Sequence, residues 1–223
     1  MYRSSIPKSA RERVTDRDSS GAKLRAEYIL RGKIVGIRWF HETGEPSFET
    51  PLKDDVYHGA VYRWDIPGIL LSSEPYVSGL AHGIARQWSD DGKLIGTYKM
   101  KRGTGIDLWW GGCNGAFSLS EVHYLKNGRP HGYEWWLDDD KKVNSERHWR
   151  GGLAHGIERD WNAQGRLRRG YPRYYLHGER VNKRRYERAC DSDSSLPKFR
   201  QKDNEPKRKF PPEVAKFFKR KKA

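Results

Sequence analysis

Apolar and polar residues alternate along short stretches of this chain, and each stretch begins at a glycine. After Gly132, for example, the first, third and fifth residues are Tyr133, Trp135 and Leu137, and Glu134 lies between two of them. Successive side chains of a β-strand point to opposite faces, so a period of two predicts a strand. Because a tryptophan recurs among the apolar positions, each predicted strand has one aromatic face.

The alternating stretch recurs at intervals of 22 to 27 residues, so the chain carries an internal repeat. Seven or eight positions before each repeat glycine lies an apolar residue, which is aromatic in six of the seven copies. The repeat glycines are Gly36, Gly59, Gly83, Gly105, Gly132, Gly156 and Gly178, and the recurrent tryptophans are Trp64, Trp88, Trp110, Trp135 and Trp161. A repeat of this length indicates one supersecondary unit copied along the chain, in which these residues have structural roles.

A second break, with a composition that favours turns, follows each repeat glycine after about nine residues. The dipeptides Asp91-Gly92 and Asn114-Gly115 suit the positive φ angles of two-residue hairpin turns, and Asn127-Gly128 does so at the other end of a copy. Each copy is therefore predicted to be two short strands separated by tight turns. The predicted fold class is all-β, an elongated single-layer twisted antiparallel sheet of consecutive β-hairpins.

Charge and composition divide the chain into three parts. Only 35% of the residues are hydrophobic, but 9 Trp, 12 Tyr and 7 Phe allow a thin sheet to bury enough surface. Residues 24–164 carry 18 basic and 19 acidic side chains, whereas residues 165–223 carry 20 and 7. Residues 1–23 are basic and lack periodicity, which predicts a disordered arm. The repeat array is predicted over residues 24–180 and a basic tail over residues 181–223.

The basic tail contains a predicted short amphipathic helix over about residues 212–221. Pro212 suits a helix start, and Val214, Phe217 and Phe218 fall on one face at the i, i+3, i+4 spacing. Elsewhere the chain has no apolar run approaching the ~18 residues of a membrane span and no apolar leader segment. This pattern favours a soluble, unexported, cytoplasmic protein.

The repeat resembles the MORN repeat, in particular the bacterial MORN-like variant of proteins often labelled antitoxins of toxin–antitoxin systems. The resemblance is carried by Gly-x-x-x-x-Trp, a turn, an aromatic second strand and Gly-x-x-His-Gly, which residues 79–83, 128–132 and 152–156 match. Val35-Gly36 and Thr104-Gly105 lack the histidine. The resemblance implies consecutive hairpins and a role in scaffolding or in protein or lipid binding. Choline-binding repeats are a second family of aromatic hairpins, but they belong to exported proteins.

The candidate chemistry predicts no enzyme, no metal site, no cofactor and no small-molecule substrate. Five histidines recur beside the repeat glycines or in their register: His58, His82, His131, His155 and His177. Equivalent residues of successive hairpins are expected about 9.5 Å apart, whereas zinc ligands lie about 2 Å from the ion, so we expect structural histidines. Cys190 has no histidine or aspartate partner at a recognisable spacing, which argues against a nucleophile.

What remains is a non-enzymatic binding or scaffold module with three open partner classes. A protein partner leads, because repeat sheets offer long surfaces. Nucleic acid is suggested by basic residues interleaved with tyrosines over residues 166–188, and an anionic membrane by the basic helix. The candidate binding residues are Arg166, Arg168, Arg169, Arg173, Lys183, Arg184, Arg185, Arg188, Phe217 and Phe218.

Overall fold

A computed structural model describes residues 2–66, 68–113, 116–138 and 142–218. The fold is all-β, with consecutive antiparallel hairpins and two short helices near the C-terminus, which confirms the predicted fold class. The strands of the N-terminal half are β1 (Arg11–Arg17), β2 (Lys23–Leu30), β3 (Lys33–Phe40), β4 (Pro46–Lys53), β5 (Val56–Tyr57), β6 (Gly59–Asp65), β7 (Ile69–Val77), β8 (Leu80–Ala81), β9 (Gly83–Trp88) and β10 (Leu94–Lys101). The later strands are β11 (Thr104–Cys113), β12 (Ala116–Lys126), β13 (Arg129–Leu137), β14 (Val143–Arg150), β15 (Leu153–Ala154), β16 (Gly156–Asp160), β17 (Arg173–Leu176) and β18 (Glu179–Val181).

The chain forms two compact units. Unit 1 comprises Met1–Gly103 and Gly112–Phe117, and unit 2 comprises Thr104–Gly111 and Ser118–Ala223. In unit 1 the antiparallel order is β1-β2-β3-β4-β6-β7-β9-β10, and the two-residue strands β5 and β8 pair with the ends of β4 and β7. In unit 2 the order is β12-β13-β14-β16-β17-β18, with β15 on the end of β14.

Tight turns with two left-handed residues connect the strands at one end of each repeat. The turn at Asn127 and Gly128 has φ angles of 52° and 74°, and Ser78 and Gly79 have 49° and 80°. These angles match the two-residue hairpin turn predicted for Asn127-Gly128. The other end uses longer loops: Ser89 N donates to Lys93 O at 2.9 Å across a three-residue loop. The two-residue turn predicted at Asp91-Gly92 is therefore wrong, and Asn114-Gly115 lies outside the described residues.

Three repeat glycines, Gly59, Gly83 and Gly156, begin a long strand directly after a two-residue strand, whereas Gly36, Gly105 and Gly132 lie within β3, β11 and β13. All six glycines after Gly36 have positive φ angles, and Gly83 at 124° and Gly156 at 147° are far from helix or strand values. A Cβ added to Gly83 would lie 2.9 Å from the Pro75 ring, and one added to Gly156 would lie 2.6 Å from the Cβ of His148. The step therefore requires glycine for its backbone angle and for the close approach of the neighbouring strand.

One copy of the His-Gly dipeptide lies in a turn between strands. His177 and Gly178, with φ angles of 50° and 90°, form the tight turn between β17 and β18, in which Leu176 pairs with Glu179. The sequence placed Gly178 with the step glycines because its spacing from Gly156 equals a repeat length. In the structure it corresponds to the turn glycine Gly152, so the repeat array ends one step earlier than the spacing indicated.

The N-terminal residues are ordered, which differs from the disordered arm predicted over residues 1–23. Strand β1 pairs with β2, and Arg13 and Lys23 form ion pairs of 2.5 and 2.8 Å with Glu27 and Glu12. Ile6 is buried in a cluster with Ala26, Tyr28 and Phe40. The segment has too few apolar residues to show a period, but its backbone pairs with the edge of β2.

The basic tail is largely folded onto unit 2. Helix α1 (Lys183–Ser192) begins at Asn182, whose side chain accepts a hydrogen bond from Arg185 N, and it buries Tyr186 completely. Ile157, Tyr174, Tyr186 and Leu196 form a core cluster. A short 3₁₀ helix (Gln201–Asn204) follows, and then helix α2 (Pro212–Phe218). The helix predicted over 212–221 begins as expected, and its last three residues lie outside the described residues.

Candidate functional site

The aromatic face of unit 1 holds the first residues of the chain. We call residues 2–6 the N-terminal strap. The Tyr2 ring lies edge-on to the rings of Tyr62 and Trp64, with centroids 4.9 and 5.1 Å apart. The hydroxyl of Tyr62 donates to the backbone carbonyl of Arg3 at 2.9 Å, and Ser5 Oγ accepts from Ala60 N at 3.1 Å. Strand side chains therefore bind both the rings and the backbone of this segment.

A buried carboxylate anchors the N-terminal strap. Glu49 on β4 is fully buried, and Arg38 on β3 donates to it from Nε at 3.1 Å and from Nη2 at 2.5 Å. Two strap hydroxyls complete its shell, Tyr2 at 2.8 Å and Ser4 at 2.7 Å. Burial and the hydrogen bond to Glu49 raise the pKa of Tyr2 to about 12, so the hydroxyl stays a donor.

The aromatic face of unit 2 is occupied in the same way by the other end of the chain. We call residues 203–218 the C-terminal strap. Phe210 lies edge-on to Trp135 at 5.4 Å, and Phe217 lies edge-on to Trp110 at 5.1 Å. The indole N–H of Trp161 donates to the backbone carbonyl of Asn204 at 2.7 Å. Phe217, a candidate membrane contact from the sequence, is thus engaged within the protein.

Glu146 on β14 is the anchor of the C-terminal strap. It is 1% exposed and accepts from Trp135 Nε1 at 2.8 Å, from Arg159 Nη1 at 2.7 Å, and from Arg208 Nε and Nη2 at 2.5 and 3.0 Å. Burial by itself raises the pKa of Glu146. The hydrogen bonds and charges of Arg208 and Arg159 outweigh burial and hold that pKa below its usual range. Arg208 therefore adds a second cation and two hydrogen bonds to a carboxylate that Trp135 and Arg159 of the sheet also contact.

Glu49 and Glu146 occupy equivalent positions in their repeats. Each pairs across the ladder with the residue eleven positions earlier, Arg38 and Trp135 respectively, and that residue donates to it. Each glutamate also accepts hydrogen bonds from a strap, Glu49 from Tyr2 and Ser4, and Glu146 from Arg208. The two units therefore share one arrangement, in which a buried carboxylate on a strand accepts hydrogen bonds from a strap.

The recurrent histidines join successive repeats. His58, His82, His131 and His155 accept hydrogen bonds at Nδ1 from the first turn residue of the next copy, the N–H groups of Ser78, Arg102, Gly151 and His177, at 3.2–3.4 Å. In the copy where Thr104 replaces the histidine, its hydroxyl accepts from Asn127 N at 3.1 Å. A left-handed turn leaves this N–H without a ladder partner, so the side chain supplies one. Their role is therefore to bond turn N–H groups.

His155 also faces His177 and Asp193. The spacing expected for equivalent residues does not apply to this histidine pair, because His177 lies in the turn between β17 and β18. The two rings have centroids 4.4 Å apart, and His155 Nε2 lies 3.3 Å from Asp193 Oδ2. These three residues bring their ligand atoms within 4.8 Å of one another. Nδ1 of His155 accepts a backbone N–H, however, so the neutral ring carries its proton on Nε2 and donates to Asp193. Arg150 also pairs with Asp193 at 2.8 Å, which favours an ionic link over a metal site.

No protein-family model matches this chain, and no curated protein matches it in sequence. The structural parallel between the two units is therefore the main guide to function. Among the described residues, no helix is both long enough and apolar enough to cross a membrane.

The candidate basic residues fall into two groups. In the first group, Arg168 pairs with Asp160, Arg173 lies 3.9 Å from Glu158, Lys183 with Glu187, and Arg185 donates two hydrogen bonds to Glu179. In the second group, Arg166, Arg169, Arg184 and Arg188 are exposed and form no ion pair with any described residue. The second group leaves its charge available on the surface of unit 2.

The residues that define the two straps were missed by sequence reasoning. Tyr2 and Glu49 are 47 positions apart, and Glu146 and Arg208 are 62 apart, so local periodicity carries no sign of either contact. One signal was present. Glu49 and Glu146 each lie ten positions before the next repeat glycine, Gly59 or Gly156, so a glutamate recurs at one register position in two copies.

Proposed function

We propose that this chain is a cytoplasmic, non-enzymatic β-hairpin repeat module of MORN-like type that binds another protein. Its working surface is the aromatic face that bears the recurrent tryptophans. The observation that supports this function is that both units hold an extended segment of polypeptide on that face, through equivalent carboxylates and edge-on aromatic contacts. A surface that binds two unrelated segments of its own chain is suited to binding a segment of a partner.

An antitoxin role is the narrower form of this proposal. The partner would then be a small toxic protein that the chain sequesters, as the MORN-like resemblance implies. Binding alone would suffice for such a role, because sequestering a partner requires no catalytic group in the chain.

The proposal is tested by purification of the tagged chain from its native cells, followed by reconstitution. A protein that co-purifies should bind the purified chain directly in calorimetry, and the affinity should change little up to about 0.5 M salt, because aromatic contacts are not screened. If no candidate binds the purified chain, or if every interaction disappears with salt, the proposal is wrong.

Nucleic acid is the second candidate partner. It is favoured by four exposed arginines that form no ion pair with a described residue, Arg166, Arg169, Arg184 and Arg188, which lie in the part of the chain that carries most of the net positive charge. Backbone phosphates are the ligands that such arginines bind without sequence preference. This alternative predicts strong salt dependence, which separates it from the leading proposal.

A further inference from the structure

We propose that the aromatic face of unit 2 is a groove for an extended peptide in which an arginine stands two residues before an aromatic residue, and that the C-terminal strap is a built-in occupant of this groove. This inference rests on the proposed protein-binding function and names the chemistry of the partner segment. It is carried by the agreement between the straps of the two units.

The groove binds backbone carbonyls of its occupant through side-chain and backbone donors of the sheet. In unit 2, Trp161 donates to the carbonyl of Asn204, and Val143 N donates to the carbonyl of Pro206 at 3.0 Å. In unit 1, Tyr62 donates to the carbonyl of Arg3. Such bonds do not depend on the side chains of the bound segment, so a foreign peptide can accept them equally well.

Two neighbouring groove residues, Glu146 and Trp135, contact side chains of the strap. Glu146 accepts from the Arg208 guanidinium at two oxygens, and Phe210 lies against Trp135, two residues along the strap. The two contacts are also two residues apart in unit 1 but in the reverse order, because Tyr2 lies against Trp64 and Ser4 donates to Glu49 two residues later. Both side chains of the C-terminal strap therefore contact the groove, and the Arg208 guanidinium also donates to the strap carbonyls of Asp203, Glu205 and Lys207.

Charge determines which partner fits unit 2. Glu146 is a buried anion whose two oxygens accept one hydrogen bond each from the sheet, from Arg159 and Trp135, and only Arg159 among these donors carries charge. A planar guanidinium fills both positions, which lysine cannot do. Lys207 and Lys209, on either side of Arg208, are exposed, and neither forms an ion pair with Glu146. The preferred partner segment is therefore Arg-x-aromatic in an extended conformation, and a merely basic peptide does not suffice.

The strap competes with any partner, so the test compares the intact chain with a chain whose strap is weakened. The full-length double variant Arg208→Ala, Phe210→Ala keeps every groove residue. A fluorescently labelled peptide with the sequence of residues 204–212 serves as the probe, measured by fluorescence anisotropy. A tethered strap acts at an effective concentration on the order of millimolar. We expect the peptide to bind the double variant at least tenfold more tightly than the wild-type chain.

Controls separate recognition from general charge. Lys209→Ala removes one positive charge beside the groove and should behave as wild type. Peptides with Ala in place of Arg208 or Phe210, and a scrambled peptide of equal charge, should each lose at least tenfold in affinity for the double variant. These changes are in the peptide, so they do not depend on the folding of a variant. Circular dichroism verifies that the double variant itself is folded.

The inference is overturned if the folded double variant fails to bind the peptide, if the scrambled peptide binds equally well, or if only an oligonucleotide binds the uncovered face. Its failure is distinct from failure of the proposed function. A partner that binds wild-type and double-variant chains equally would preserve the function and reject the groove. If the peptide binds but no protein partner is found, the groove is supported and the proposed protein-binding function is rejected.

Discussion

At the step between the two strands of a repeat, Gly156 meets two independent constraints. Its φ angle of 147° lies in a region that side-chain-bearing residues rarely adopt, and a Cβ there would lie 2.6 Å from the Cβ of His148. Gly92 has a φ angle of 77° but open space around it. Comparing the stability losses of substitutions at Gly156 and Gly92 therefore separates the cost of the backbone angle from the cost of the close contact.

Gly156→Ala should lower the free energy of unfolding by about 1–3 kcal/mol more than Gly92→Ala does, because only Gly156 combines a strained angle with a clash. Urea denaturation followed by tryptophan fluorescence measures both. Equal losses for the two variants would mean that β14 and β16 can separate without cost at this point.

His123 shows how a buried histidine can be held charged. It is 18% exposed in its side chain, with Nδ1 3.1 Å from Glu134 and Nε2 2.9 Å from Glu121. Burial by itself lowers the pKa of His123, but the hydrogen bonds to Glu134 and Glu121 outweigh it and raise the pKa above its ordinary value. The protonated ring therefore joins β12 to β13, since Glu134 pairs with His123 across the ladder.

This raised pKa predicts a pH-dependent contribution to stability. A group whose pKa is higher in the folded state stabilises the fold fully below its unfolded pKa, and the contribution is lost as pH rises through the folded pKa. The wild-type chain should therefore exceed His123→Gln in stability most at about pH 5.5, and the gap should close by about pH 9. Denaturant melts at both values measure it. A gap that widens with pH would contradict the charged state of the ring.

Among the elements, helix α1 shows where the sequence was informative but its signal was hidden. Tyr186, Ala189 and Cys190 have the i, i+3, i+4 spacing of an amphipathic helix and all pack on the core of unit 2. The surrounding arginines made the segment look like a solvated basic tail. The strands, in contrast, were predictable because their period of two is set by local geometry, and the two-residue turn at Asn127-Gly128 because few residues tolerate positive φ.

Docking of helix α1 should depend on one side chain. Tyr186 is fully buried, and its hydroxyl donates to the carbonyl of Pro197 at 2.6 Å. Tyr186→Ala should cost about 3–5 kcal/mol, since it leaves a cavity and an unpaired carbonyl. Arg184→Ala, on the exposed side of the same helix, should stay within about 0.5 kcal/mol of wild type. Hydrogen exchange at the β17 amides should rise in the first variant alone. Comparable small losses in both would show that α1 is not part of the core of unit 2.

For the whole molecule, the contacts between the straps and the sheet could not be predicted from the sequence pattern. Glu146 and Arg208 meet across 62 positions, and Arg208 lies outside the repeats that made the hairpins visible. The same applies to strand β1, whose formation depends on pairing with β2 and not on its own apolar content. Sequence periodicity therefore describes the hairpins, whereas the candidate groove results from long-range contacts between termini and repeats.

The uneven charge of the molecule gives the final prediction. Residues 165–223 carry 20 basic and 7 acidic side chains, and four exposed arginines among them, at positions 166, 169, 184 and 188, have no ion pair with a described residue. If these arginines bind phosphates, affinity for a single-stranded oligonucleotide must fall with salt by a logarithmic slope near −0.7 for each phosphate neutralised.

Replacing those four arginines by glutamine should then reduce the magnitude of the slope by about 3, from four lost phosphate contacts. The matched control removes the same charge from unit 1, at the exposed residues Lys8, Arg11, Lys53 and Lys99. If position matters, the control keeps the wild-type slope, and filter binding at several salt concentrations distinguishes the two variants. An equal decrease of the slope in both variants would mean that only net charge matters. Binding that does not depend on salt would reject the phosphate contacts.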